Sequence, residues 1–127
     1  MQTKVNKKLQ KYNQLPINIH INSTVKNTLV NVVTDNNDLL LQISSKSLRT
    51  SKKQRANNFF ILKEIAKKII KTLKKANNYR INVFIKGTGY GKKIIFRLLS
   101  YKFKIVSIHY CTATPFNGCR PKKMKRR

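Results

Sequence analysis

The stretch RINVFIKGTGYGKKIIFRLLSYKFKIVSIHY, residues 80–110, decides the architecture. Its opening residues alternate, placing Ile81, Val83 and Ile85 on one face as a half-buried strand requires. A glycine-rich turn follows, then the helical stretch KKIIFRLLSYK and another strand, FKIVSIHY. Strand, helix and strand in this order form a crossover unit, which pairs its strands in parallel with right-handed linkage.

Working toward the N-terminus, FFILKEIAKKIIKTLKKA (residues 59–76) carries apolar residues at 59, 62, 66, 69, 70 and 73. Lys63, Lys67, Lys71, Lys74 and Lys75 lie off that stripe, so the spacing predicts an amphipathic helix with a cationic outer face. Asn77 and Asn78 end it, because Asn favours caps and turns. Further upstream, INIHIN (17–22) alternates strictly, with Ile17, Ile19 and Ile21 on one side and Asn18, His20 and Asn22 on the other. TLVNVVT (28–34) and LLLQIS (39–44) read as further strands, joined by the turn chemistry of Asp35, Asn36, Asn37 and Asp38. The expected fold class is α/β. It consists of a mixed sheet of about five strands, an antiparallel meander followed by strand-helix-strand-helix-strand, flanked by two helices. The expected boundaries are a basic extension over residues 1–16, the domain over 17–111 and a basic arm over 112–127.

The charge balance narrows the partner. There are 29 Lys+Arg against 3 Asp+Glu, a formal net charge of +26. Self-repulsion on that scale opposes a free compact state, so a polyanionic partner is expected. No window approaches the roughly 18 apolar residues of a membrane span. A membrane-lytic peptide would need one dominant amphipathic helix, whereas much of this chain is strand-like. Nucleic acid is the remaining polyanion. Cys111 and Cys119 cannot make a disulfide framework and no apolar signal segment opens the chain, so it reads as intracellular and reduced. Lys outnumbers Arg, and Asn and Ile are frequent, as AT-rich coding in an organelle or microbe would give.

Two basic segments flank the domain and one interrupts it. Residues 1–16, MQTKVNKKLQKYNQLP, are polar and aperiodic and are expected to be disordered unless RNA orders them. A mitochondrial transit peptide is the rival reading, but Arg and Ser are absent there. Residues 45–58, SKSLRTSKKQRANN, hold Lys46, Arg49, Lys52, Lys53 and Arg55 and no acid. A loop of that length is usually functional or disordered, and its charge points to RNA phosphate. The end of the chain, TPFNGCRPKKMKRR, carries Arg120, Lys122, Lys123, Lys125, Arg126 and Arg127 with two prolines that favour extended backbone.

The loop KGTGYGKK (86–93) hands a strand to a helix, where backbone N–H groups can close on an anion. It is not a Walker A loop, since position 86 is Lys rather than Gly and position 93 is Lys rather than Ser or Thr. Nor is it a dinucleotide fingerprint: Gly87, Gly89 and Gly91 are spaced G-x-G-x-G, and no acid follows to hold a ribose. A phosphate-facing loop helped by Lys86, Lys92 and Lys93 is one reading, and a purely structural tight turn is the other. Catalytic equipment is sparse. Asp35, Asp38 and Glu64 are the carboxylates, two in a turn and one on a lysine-rich helix face, so a paired acid and base is hard to build. His109, Cys111 and Cys119, even joined by His20, match no common zinc spacing. His20 and His109 are expected as packed or RNA-facing strand residues, and no enzyme activity and no cofactor are expected.

Two segments together resemble one family. VFIKGTGYGKK (83–93) resembles the V-x-V-K-G-P-G-P-G-R stretch of the small-subunit ribosomal protein eleven family. TATPFNGCRPKKMKRR (112–127) resembles its T-P-x-P-H-N-G-C-R-P-P-K-K-R-R terminus. LRTSKK (48–53) is similar to the family's F-R-G-S-R-K loop, INIHINSTVKNTLVNVVTD (17–35) to its opening hairpin, and the likeness spans residues 17–127. The chain departs from the pattern at Thr88 and Tyr90, which replace the two prolines, at Lys93 in place of an acid, at Phe116 in place of His and at Thr50 in place of Gly. The glycines before Ser47 are absent and the turn after the long helix is longer, drift that looks organellar.

The resemblance implies a structural constituent of the small ribosomal subunit that supports assembly and translation. Its partners would be small-subunit ribosomal RNA at the platform near the messenger exit path and neighbouring platform proteins, with proximity to mRNA, no membrane span and no small-molecule substrate. Carried over residue by residue, RNA contact is expected at Arg49, Ser51, Lys52 and Lys53, and at Lys86, Gly87, Gly89, Gly91 and Lys92. In the tail it is expected at Asn117, Gly118, Cys119, Arg120, Pro121, Lys122 and Lys123. The expected compartment is the mitochondrion, with the plastid as alternative. A free-standing organellar nucleic-acid-binding protein is the alternative function.

Overall fold

The alternation of Ile17, Ile19 and Ile21 builds strand β1 (Ile17–Ser23), which lies at the centre of a five-stranded sheet. The computed structural model describes residues 15–51, 55–76 and 79–124. β2 (Thr28–Val33) and β3 (Leu39–Ser44) follow as an antiparallel meander. Helix α1 (Phe59–Lys75), strand β4 (Arg80–Lys86), helix α2 (Gly91–Ser100) and strand β5 (Lys104–Tyr110) complete the order. The sheet runs β3-β2-β1-β4-β5, with β4 parallel to both β1 and β5, so the mixed α/β architecture expected from the periodicity is the one formed.

The turn between β2 and β3 closes as its residues allow. Thr34 N–H donates to the Asp38 carbonyl at 3.0 Å, Asp38 N–H donates to Thr34 Oγ1 at 3.1 Å, and Asn37 takes the left-handed backbone (φ 63°) that Asn tolerates. Leu40 and Val106 are each an extra residue in their ladder, at shifts opposite Val32/Val33 and Ile81/Asn82.

Ile17, Ile19, Ile21, Val30, Val32, Ile81, Val83 and Ile85 form one side of a single core cluster, which both helices complete. The alternate residues of β1 and β4 are half-buried or exposed, so the opposite face of the sheet is open. On α1 the buried face differs from the stripe anticipated at 59, 62, 66, 69, 70 and 73. Ile61, Leu62, Ile65, Ala66, Ile69 and Leu73 are buried, whereas Phe59 is 50% exposed and Ile70 only half-buried. At about 100° per residue, Phe59 and Ile70 sit roughly 60–80° round from Leu62, on the flank away from Ile61 and Ile65. Both sets are apolar and helically spaced, and only the position of the sheet chooses between them. The outer lysines Lys63, Lys67, Lys71, Lys74 and Lys75 are exposed, and Glu64 meets Lys67 at 3.8 Å on the solvent side.

Candidate nucleic-acid interface

Topology gathers the basic segments. β3, β4 and β5 all run with β1, so their C-terminal ends lie at one edge of the sheet. The basic loop leaves β3 there, the glycine loop leaves β4 there and the tail leaves β5 there, beside the turn joining β1 to β2. Asp35 and Asp38, two of the three acids, occupy the turn at the opposite edge.

A polar hub binds these segments together. Asn57, just before α1, donates to the carbonyls of Thr24 (2.8 Å) and Val25 (2.9 Å) and accepts from Thr28 Oγ1 (2.8 Å). Ser45 Oγ donates to Asn27 Oδ1 at 2.7 Å and accepts from Thr28 N–H at 2.9 Å, while Lys46 N–H reaches Asn27 Oδ1 at 3.2 Å. Ser23 and Thr28 hydroxyls meet at 3.1 Å. Ser23, Thr28 and Ser45 are fully buried, where such groups must be satisfied internally. Leu48 packs against the core and Ala56 is buried, so both flanks of the basic loop are anchored. Asn57→Ala is expected to cost about 1–3 kcal/mol, because it strips partners from the buried Thr28 hydroxyl and from two carbonyls. Denaturant unfolding of the variant measures it, and an unchanged midpoint would mean the pin is idle.

The hub shapes a cavity of about 550 Å³ lined by Val25, Lys26, Lys46, Arg49, Arg55, Ala56 and Asn57. Four cations and no acid line it, a concave arrangement that focuses positive potential. Arg49 is half-buried and Ser51 exposed on this loop, and the expected contacts Lys52 and Lys53 lie outside the described residues. Lys26 and the anchoring Asn27 and Asn57 were not among the residues expected to bind, and Lys46 and Arg55 were expected only through the charge of the loop as a whole. Lys26 gives no local signal, since only the folded turn brings it to the loop, and Asn57 reads as a helix-start residue.

In the glycine loop, Gly89 and Gly91 are buried and pressed against β1 and β2. A Cβ on Gly89 would strike the Thr24 carbonyl, and one on Gly91 the Thr28 hydroxyl. Gly89 N–H donates to the Ser23 carbonyl at 2.8 Å and Gly87 N–H to Thr112 Oγ1 at 3.1 Å. These two amides thus hold the loop to β1 and to the start of the tail, a structural employment of the glycines. Lys92 Nζ donates to the Gly87 carbonyl at 2.6 Å, while Lys86 and Lys93 are exposed. Cys111 N–H bonds the Ile85 carbonyl at 2.8 Å, and beyond it Asn117, Gly118, Cys119, Arg120, Pro121, Lys122 and Lys123 are all exposed, with Asn117 in left-handed backbone (φ 47°). The tail therefore starts at the glycine loop and presents Arg120, Lys122 and Lys123 to solvent.

The histidines are engaged on the open face. His20, Phe84 and His109 stack across β1, β4 and β5, with centroids 4.6 and 4.7 Å apart and planes within 15° and 14°. Beside them Asn82 Nδ2 donates to Asn18 Oδ1 and Ser107 Oγ to Asn82 Oδ1, both at 3.0 Å.

Comparison with known proteins identifies the family. The family model for ribosomal protein S11 matches residues 17–127. The chain is 35% identical over 109 residues to small ribosomal subunit protein uS11c of Cyanidioschyzon merolae, covering 85% of this chain and 89% of the relative. It is 33% identical over 109 residues to uS11c of Cyanidium caldarium, covering 85% and 84%. It is 28% identical over 121 residues to uS11 of Treponema pallidum strain Nichols, covering 94% and 95%. With its motifs and a family match running from the first strand to the last tail residue, the chain belongs to the ribosomal protein S11 family.

Proposed function

We propose that this protein is a structural, non-enzymatic constituent of the small ribosomal subunit, binding its ribosomal RNA at the platform near the messenger exit path and supporting assembly and translation. The observation that carries the reading is the convergence of the basic loop, the glycine loop and the tail at one edge of the sheet. Backbone phosphates are the targets such a surface suits, and contacts of that kind position a protein on folded RNA rather than read its sequence. Arg49, Ser51, Lys52 and Lys53, the lysines of the glycine loop and residues 117–123 are the proposed contacts, joined by Lys26, Lys46 and Arg55 in the cavity. Gly87, Gly89 and Gly91 serve that contact through the shape they give the loop. Neighbouring platform proteins are the proposed protein partners.

The ribosome is proposed to be organellar. The likeness to uS11c chains supports the plastid, the alternative compartment, over the mitochondrion. The full chain is expected to co-sediment with small subunits of the organelle that holds it, identified by mass spectrometry of fractionated ribosomes. In isolation, neutralising about eight phosphates gives a slope of log K on log salt of roughly −6 to −7. A flat salt response would sink the phosphate-contact account, and a chain sedimenting with DNA and away from the subunit would favour a free-standing nucleic-acid-binding protein.

A further inference from the structure

Phe59 heads α1 and Tyr90 immediately precedes α2, at the edge of the sheet where the cations gather. With Lys93, Ile94, Arg97 and Leu98 they line a groove of about 370 Å³, within the range of small-ligand sites. Both rings are large apolar groups left in water, Phe59 at 50% and Tyr90 at 66% exposure. Ile94 and Leu98, one helical turn apart, are half-buried and floor the groove, and Lys93 and Arg97, likewise spaced, are exposed on its rim. No acid lines it. An apolar slot with aromatic walls and a cationic rim has the chemistry of a splayed nucleotide, a base that stacks and phosphates that pair. On the open sheet face, by contrast, Phe84 already has His20 stacked on one side and His109 on the other, at about the strand spacing, so its two faces are taken.

We propose that this groove receives one unpaired nucleobase of the bound RNA, stacked against Phe59 and Tyr90 with its flanking phosphates on Lys93 and Arg97. This rests on the RNA-binding reading above and adds a base-stacking site to it. Tyr90 stands at one of the positions where the chain departs from the family's prolines, so the site is a property of this chain's own residues.

The test titrates the full chain with an RNA hairpin bearing a single bulged 2-aminopurine and with the same hairpin carrying an abasic bulge. The unchanged chain is expected to bind the first about tenfold or more tightly and to quench its fluorescence. Tyr90→Leu and Phe59→Leu are expected to lose that preference and that quenching while keeping the salt slope, because stacking releases no counterions. Ultraviolet cross-linking of the unchanged chain should leave a nucleotide adduct on Phe59 or Tyr90, a readout that needs no variant. Equal affinity for both hairpins, or equal losses on both in the variants, would overturn the stacking site while leaving RNA binding intact. Cross-links from this groove to a ribosomal protein instead of RNA would overturn it as well. Binding of both hairpins without salt dependence would overturn the RNA reading itself.

Discussion

Gly87→Ala is expected to destabilise the domain by about 2–5 kcal/mol, enough to lower the melting temperature by roughly 10–20 °C. Two causes add at this residue. Its φ of +93° lies where a side chain crowds its own backbone, at a cost of about 1–2 kcal/mol. A Cβ there would also strike the carbonyl oxygen of Ser23, whose carbon lies 3.0 Å away, and backbone at the end of a central strand cannot step aside as a flexible side chain could. Overpacking of this kind typically adds about 1–3 kcal/mol. Gly118→Ala supplies the contrast. It sits in the exposed tail with Pro115 Cβ as nearest neighbour at 3.7 Å, an ordinary contact, and should change stability by less than about 0.5 kcal/mol. Thermal unfolding followed by circular dichroism compares the two. A melting temperature for Gly87→Ala within about 2 °C of the unchanged chain would mean the loop does not approach β1 as described.

Truncation after Pro115 should produce the opposite pattern, with folding retained and RNA affinity lost. From Phe116 to Met124 every described residue is exposed, so the deletion uncovers no core. The removed segment carries Arg120, Lys122, Lys123, Lys125, Arg126 and Arg127. If four to six of these neutralise phosphates, the salt slope becomes shallower by roughly 3–5 and affinity near 0.1 M salt drops about a hundred- to ten-thousandfold. Filter binding across a salt series, with a melting curve on the same sample, reads both quantities. A truncated chain that unfolds yet still joins the subunit would contradict this division of labour.

The fold was legible because its signals are local and repeated. Alternation in β1 and β4, the Asx-rich turn after β2 and the helical spacing of residues 59–76 each name an element without reference to any other. α1 exposes the limit of such reading, since a helix with apolar residues on more than one flank gives its type but not its orientation. The candidate site was legible as three separate basic segments and as two motifs similar to the S11 pattern. The cavity was not, because Lys26, Lys46, Arg49 and Arg55 are brought together by the hydrogen bonds of Asn27, Ser45 and Asn57, and short polar residues of that kind read equally well as caps and turns.

By itself, then, the sequence determined the order and type of the elements, the need for a polyanionic partner and the family, because periodicity, net charge and motif spacing are properties of the chain as written. Only the tertiary structure decided where the charge goes. Pairing β4 between β1 and β5, with β3 running the same way, brings residues 45–51, 55–58, 87–90 and 111–124 to one edge, a consequence of strand direction that no local pattern encodes. It also gave the glycines a role as the places where one strand's end can lie against another, and put Phe59 in the lining of a groove, because burial depends on which neighbours arrive.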